Sequence, residues 1–346
     1  MKDKLNIVVI GVSIMGQRHA EGVNNHPNAV LYGICDKHPE ILEAAQNNVH
    51  ALHTTTDYMD FVNDPAVDAA VIVTPDKLHK EMAINFMRAG KDVLCEKPMS
   101  LFMEECQEMM QAEYDTGRKL MIGQICRCTD AFIQAKELVD AGRIGELVYV
   151  ESEYAHDYAH ASRGVDDWRL DPDRHGFIGG ACHAVDLLRW IAGNPVTVAA
   201  YANHKILMDW PVDDFTIAIY RFPNNVIGKV FCSIGCQRDY TMRSTFYGTK
   251  GTIICDNTSD TMKLYTNYEP LPDGTINHDI PQILPVTVNN HNTDYEIRVF
   301  VDALLRGDET MPVPSREGAY TVAACRATVD SAKQGKEITI PYPVVK

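Results

Sequence analysis

LNIVVI at positions 5–10, apolar at every position but Asn6, runs straight into Gly11-Val12-Ser13-Ile14-Met15-Gly16. Its unbroken apolar stretch, Ile7 to Ile10, reads as buried on both faces, which suits the middle of a parallel sheet. Parallel neighbours must be joined by crossovers, usually helical and right-handed. The sequence supplies them. Helix patterns over residues 13–24, 39–47, 77–89 and 101–116 alternate with strand patterns over 30–35, 67–73, 91–95 and 119–123. Gly90 and Gly117 stop two of the helices. Residues 1–123 are therefore expected to form a doubly wound α/β domain.

The period changes after residue 123. Residues 147–154 alternate as in a half-buried strand, and 215–222, 226–234, 243–248, 251–256 and 262–266 read as further strands. Pro223-Asn224-Asn225 and Gly248-Thr249-Lys250-Gly251 are hairpin connections. Helices are expected near 180–192, 293–305 and 316–334. The prediction for residues 124–346 is an α+β domain with a mostly antiparallel sheet, whose last helices can pack back on the first domain.

A length of 346 residues suits two domains. The net charge of −15 and the lack of a Lys/Arg run argue against nucleic acid and anionic membrane as partners. No stretch of about 18 apolar residues is present to span a bilayer, and the first residues lack a signal-peptide core. A cytoplasmic chain is expected. Its ten cysteines lie mostly in apolar runs with no CxxC pair, as reduced buried thiols do. No metal site is expected.

The segment 11–16 is close to the GxGxxG dinucleotide turn, with a strand before it and a helix after it. Gly11 permits the turn, Gly16 lets the helix approach the strand, and the helix N-terminus, with Ser13, Ile14 and Met15, faces a pyrophosphate. Ser13 replaces the middle glycine and fits if its hydroxyl meets a phosphate oxygen or water. Asp36 ends the second strand about 20 residues on, where an acid accepts from an adenosine ribose and repels a 2′-phosphate. That favours NAD over NADP, and Lys37 beside it weakens the preference.

Cys95-Glu96-Lys97-Pro98 ends a predicted parallel strand, where ligands of such sheets bind. Together with Thr74-Pro75-Asp76-Lys77-Leu78-His79, Gly179-Gly180, the run from His183 to Trp190 and Gly248-Thr249-Lys250-Gly251-Thr252, it resembles the Gfo/Idh/MocA oxidoreductases over essentially the whole chain. The resemblance implies a Rossmann domain, then an open antiparallel sheet that packs on a partner subunit as a homodimer or a dimer-based tetramer or hexamer. It implies NAD as cofactor, with Thr74, Pro75, His79, Glu96, Lys97, Trp168 and Arg169 on its side. It also implies a sugar, cyclitol or glycoside substrate oxidised at a secondary alcohol. Lys97 would polarise the reacting oxygen, since a cation there stabilises alkoxide charge.

His183 lies early in a predicted helix after a glycine-rich loop and is the expected general base. Asp186, one turn on, could orient it. Many family members carry Asp-x-x-x-His here, and this chain has Gly179 at the acid position. Nearby groups that could replace the acid or line the sugar pocket are Tyr154, Tyr158, Asp171, Asp173 and His175. His156 and His160 have a metal-like spacing, but a pocket-lining loop is the preferred reading. Gln124 and Arg127, after the last strand of the first domain, are further pocket candidates. The expected function is an NAD-dependent carbohydrate dehydrogenase. The alternatives are redox-neutral glycoside processing with tightly held NAD, or a non-catalytic NAD-binding regulator.

Overall fold

The structure is a computed structural model that describes residues 3–160, 164–266, 274 and 280–344. The chain divides into two compact units. One comprises residues 1–125, 292–322 and 343–346, and the other residues 126–291 and 323–342.

The first unit is built on six parallel strands: β1 (Leu5–Ile10), β2 (Ala29–Cys35), β3 (His53–Thr55), β4 (Ala69–Ile72), β5 (Asp92–Glu96) and β6 (Leu120–Gly123), in the order β3-β2-β1-β4-β5-β6. The order reverses at β1, so the crevice beyond its carboxyl end is the ligand position for this topology. Helices α1 (Ile14–Asn25), α2 (Pro39–Val49), α3 (Tyr58–Asn63), α4 (His79–Arg88) and α5 (Met103–Thr116) connect the strands. Ile7, Val8 and Val9 are fully buried, as their unbroken apolar run requires. Helix α9 (Thr293–Arg306), from far along the chain, packs on α1. Gly22 makes that approach possible, because a β-carbon there would lie 3.1 Å from Ile297 Cγ1. Strand β3 escapes the sequence pattern because it is three residues long, at an edge and mostly exposed.

The second unit holds a nine-stranded sheet. Its strands are β7 (Leu147–Ala155), β8 (Thr197–Asn203), β9 (Phe215–Arg221), β10 (Ile227–Ser233), β11 (Thr241–Gly248), β12 (Gly251–Asp256), β13 (Thr261–Thr266), β14 (Gln282–Pro285) and β15 (Ile338–Thr339). Their order is β14-β13-β12-β11-β7-β10-β9-β8-β15, and every pairing is antiparallel except β7 with β10. Helices α6 (Asp130–Asp140) and α8 (Cys182–Ala192) lie on one face, with the later part of α10 (Ser315–Gln334). Strict alternation along β9 sends Ala218 and Tyr220 to that face and Ile217 and Ile219 to the other. The second face exposes Ile217, Ile219, Ile227 and Tyr201. Across it Lys229 pairs with Glu151 at 2.5 Å and Arg243 with Glu153 at 2.9 Å. No helix among the described residues is long and apolar enough to cross a membrane.

Candidate active site

The turn after β1 is tight enough to require its glycines. Gly11 has φ +85°, and a β-carbon there would sit 2.7 Å from Val73 O. One on Gly16 would be 1.9 Å from Gly11 O, so the helix start presses directly on the turn. Asp36, just past β2, braces this turn: Oδ2 accepts the Val12 N–H and Oδ1 the His38 N–H, both at 3.0 Å. Each oxygen keeps a second lone pair for a sugar hydroxyl. Ser13 precedes α1 without capping it through its side chain, and Ile14 is 72% exposed. Met15 is half-buried, and Lys37 is exposed beside Asp36. A glycine cradle that no side chain could share, a helix N-terminus and an acid at the end of β2 fit the pyrophosphate and ribose of a dinucleotide.

The carboxyl ends of β4, β5 and β6 supply the next groups. The segment after β4 holds Thr74 and Pro75. Thr74 Oγ1 donates to Met82 Sδ at 3.6 Å. His79 is buried with Nε2 2.9 Å from Thr74 O and Nδ1 3.0 Å from Pro98 O, so it stitches this segment to the one after β5. Glu96 ends β5, and the Lys97–Pro98 peptide is cis. The Lys97 N–H donates to Glu96 Oε2 at 3.0 Å, and Glu96 Oε1 accepts from His19 Nε2 at 3.0 Å. Burial alone would raise the Glu96 carboxyl, but the His19 hydrogen bond and the charges of His19 and Lys97 hold it down at about 2. On β6, Gly123 pairs with Glu96 in register, and Gln124 follows it. Gln124 is 1% exposed, and neither atom of its amide has a hydrogen-bond partner among the described residues.

In the second unit, His183 is the second residue of α8 and is buried. Its ring stacks on Tyr154 at 6.2 Å and lies 6.0 Å from His291. The Tyr154 hydroxyl bonds His156 Nδ1 and the Tyr158 hydroxyl, each at 3.1 Å, and Tyr158 leans on Trp210 at 5.4 Å. Tyr240 closes the group, with its hydroxyl 3.3 Å from His291 Nε2. Burial pushes the Tyr154 and Tyr240 phenols well above their usual range, so both serve as neutral hydrogen-bonding groups. His160 does not join His156. Its side chain is 82% exposed and pairs with Asp157 at 2.7 Å.

Several candidates have structural partners. The Asp186 carboxylate takes the Arg127 guanidinium in a two-point bond, 2.7 Å at each contact, and Arg127 also covers the Trp190 ring at 5.6 Å. His175 caps the short helix α7 (Gly176–Gly179) by accepting from Phe177 N, and its Nε2 lies 3.4 Å from Asp213. Asp173 offers its carbonyl to Arg326 at 3.2 Å. Two guanidiniums lie over the Trp168 ring, Arg174 at 4.6 Å and Arg169 at 5.1 Å. Arg174 is buried and donates to Gly179 O at 3.2 Å. The sequence reading missed Arg174, Tyr240, His291, His19 and Glu296. The single available signal was the His19 position, one turn past Gly16 in the same helix.

These features define a dinucleotide-dependent oxidoreductase. A family model described as the oxidoreductase family with an NAD-binding Rossmann fold matches residues 5–124, and the Gfo/Idh/MocA C-terminal domain model matches residues 132–254. The chain belongs to the Gfo/Idh/MocA family and is an NAD-dependent dehydrogenase. It is 26% identical over 348 residues to inositol 2-dehydrogenase 2 of Saccharopolyspora erythraea, covering 99% of this chain and 98% of that protein. Identity to myo-inositol 2-dehydrogenase of Thermotoga maritima is 27% over 274 residues, covering 76% and 78%. Among solved structures, levoglucosan dehydrogenase in complex with NADH superposes with a TM-score of 0.90 at 22% identity, over 98% of this chain and all of that one.

Proposed function

We propose that the protein oxidises a secondary hydroxyl of a sugar, cyclitol or glycoside. In such a reaction the carbon loses a hydride and the oxygen loses a proton. Bound NAD supplies the hydride acceptor. Lys97 holds a positive charge against the reacting oxygen and stabilises its developing alkoxide character. His183 accepts the hydroxyl proton. The observation that carries the reading is Gln124: a buried amide with no hydrogen-bond partner among the described residues, at a strand end beside Glu96-Lys97, is where a hydroxylated ligand would satisfy it. The related inositol and levoglucosan dehydrogenases point to the same class of substrate. The test is a screen of inositols, anhydrosugars, sugars and glycosides with NAD, followed by NADH absorbance. Lys97→Met should lower kcat by on the order of 10²–10³ while NAD affinity changes little. A wild-type rate in that variant would remove Lys97 from the reaction.

The exposed face of the nine-stranded sheet supports a further part of the reading, a homodimer. Ile217, Ile219 and Ile227 form an apolar strip flanked by the ion pairs of Glu151 and Glu153, the composition of an interface between copies.

A further inference from the structure

Beside Lys97 lies a buried row of three ionisable side chains that the proposed reaction does not use. His19 comes from α1, Glu96 from the end of β5 and Glu296 from α9. His19 Nε2 is 3.0 Å from Glu96 Oε1, and His19 Nδ1 is 3.9 Å from Glu296 Oε2. Glu96 Oε2 extends the row by accepting the Lys97 N–H at 3.0 Å. Glu296 is 1% exposed, and neither its oxygens nor His19 Nδ1 has a hydrogen-bond partner among the described residues.

A cation is the first occupant to weigh, because one ligand-type atom from each residue lies within 4.8 Å of the others. Two facts oppose it. The imidazole turns opposite nitrogens to the two carboxyls, and one ion binds only one of them, with Nε2 already bonded to Glu96. The Lys97 charge also acts on both carboxyls, so the neighbourhood already contains its cation. A proton suffers from neither objection. Two ionised carboxylates in one largely buried cluster repel each other, and the less compensated of them takes up a proton instead. Glu96 has the hydrogen bonds from His19 and Lys97 to support a negative charge, whereas the Glu296 carboxyl has none among the described residues.

We propose that Glu296 keeps its proton in the working protein, so that the row Glu296–His19–Glu96 sets a single negative charge, on Glu96, beside Lys97. Glu296 is thus a positioning residue for the Lys97 cation. The groups facing it are His19 from α1, Glu96 from β5 and Lys97 from the segment after β5. Burial and the Glu96 charge push the Glu296 carboxyl well above its ordinary range, against a smaller opposing effect of Lys97. A second negative charge would cancel part of the field that Lys97 turns on the alkoxide. Loss of the Glu296 proton at alkaline pH therefore lowers kcat. The functional half of this inference rests on the Lys97 reaction above, but the proton on Glu296 does not.

The test uses the full chain and Glu296→Gln, which has the shape of the neutral acid and cannot ionise. A group whose pKa is raised by folding loses stability as pH climbs above its unfolded value. The Tm of Glu296→Gln should therefore gain steadily on wild type as pH rises above the ordinary carboxyl range. The alkaline fall in kcat should move to higher pH in the variant, with KM for NAD unmoved. In wild-type protein carrying ¹³C-labelled glutamate, one carboxyl resonance should titrate far above the rest and vanish in the variant. A flat Tm difference, or no such resonance, overturns the proposal, and the resonance decides even if Glu296→Gln fails to fold. An alkaline limb unchanged in the variant overturns the positioning role. Should Lys97→Met remain active while the resonance is present, the reaction reading fails and the proton assignment stands.

Discussion

The guanidinium carbon of Arg174 lies 2.4 Å from the point where residue 179 would carry a β-carbon. A side chain at that position would have to displace a buried cation that stacks on Trp168 and donates to Gly179 O.

Gly179→Asp should consequently collide with the Arg174 guanidinium. It overpacks the Arg174 pocket, and a loss of about 1–3 kcal/mol is expected from urea denaturation. Adding Arg174→Ala should recover part of the overpacking penalty, which a double-mutant cycle would read as coupling between the two sites. An unchanged denaturation midpoint in the single variant would show that Arg174 swings aside freely.

Asp36 both braces the turn at Val12 and offers lone pairs to a ribose. Asp36→Ala removes a charged acceptor from two backbone N–H groups, a loss of about 1.5–3 kcal/mol per charged hydrogen bond. NAD binding, followed by fluorescence titration, should weaken at least tenfold, about 1.4 kcal/mol, and the preference over NADP should narrow. Tighter binding of NADP than NAD by the wild type would contradict this role.

His183→Ala should reduce kcat by roughly 10²–10⁴ and abolish the pH-rate limb near the histidine range. Retention of that limb in the variant would assign it to another group, with His291 the first to replace next.

The charge on Glu96 makes a distinct prediction. Folding lowers its carboxyl from 4.5 to about 2. Its contribution to stability is present above the unfolded value and is lost as pH falls from about 4.5 toward about 2. Glu96→Gln lacks that contribution, so the Tm gap between wild type and variant should close across this acid window. A gap independent of pH would mean that Glu96 is not ionised in the folded protein.

Ile219→Asp places a charge in the exposed apolar strip of the large sheet. Light scattering should report a wild-type dimer at micromolar concentration and a monomer for the variant, with the same helix and strand content by circular dichroism. A wild-type protein that runs as a monomer throughout would refute the interface.

The parts of the molecule governed by local pattern were legible in the sequence. The LNIVVI strand, the turn from Gly11 to Gly16 and the alternation of the first unit follow from periodicity and backbone sterics, and they were enough to point to an NAD-binding fold. The partnerships were not legible. Helical spacing predicts Asp186 one turn from His183, but it does not reveal that the Asp186 carboxylate also bonds Arg127, whose position depends on a separate segment. Glu296 meets His19 only because α9 returns to α1. No one-dimensional pattern records which of several amphipathic helices covers which, so side chains that meet through that choice stay hidden until the fold is known. The parallel β7–β10 pair was unpredicted for the same reason, since two intervening strands separate the partners in the chain.

The first unit takes its covering helix α9 from residues beyond 291, and that has a consequence for synthesis. A ribosome delivers β1 to β6 early, yet Ile297, Phe300 and Val301, all fully buried in the core of this unit, emerge only after β7 to β14 of the second sheet. During that interval the nascent nucleotide domain presents a bare apolar flank on α1. A chain cut at residue 125 would carry that flank permanently, so the dinucleotide domain is a unit of architecture without being a unit that can be excised.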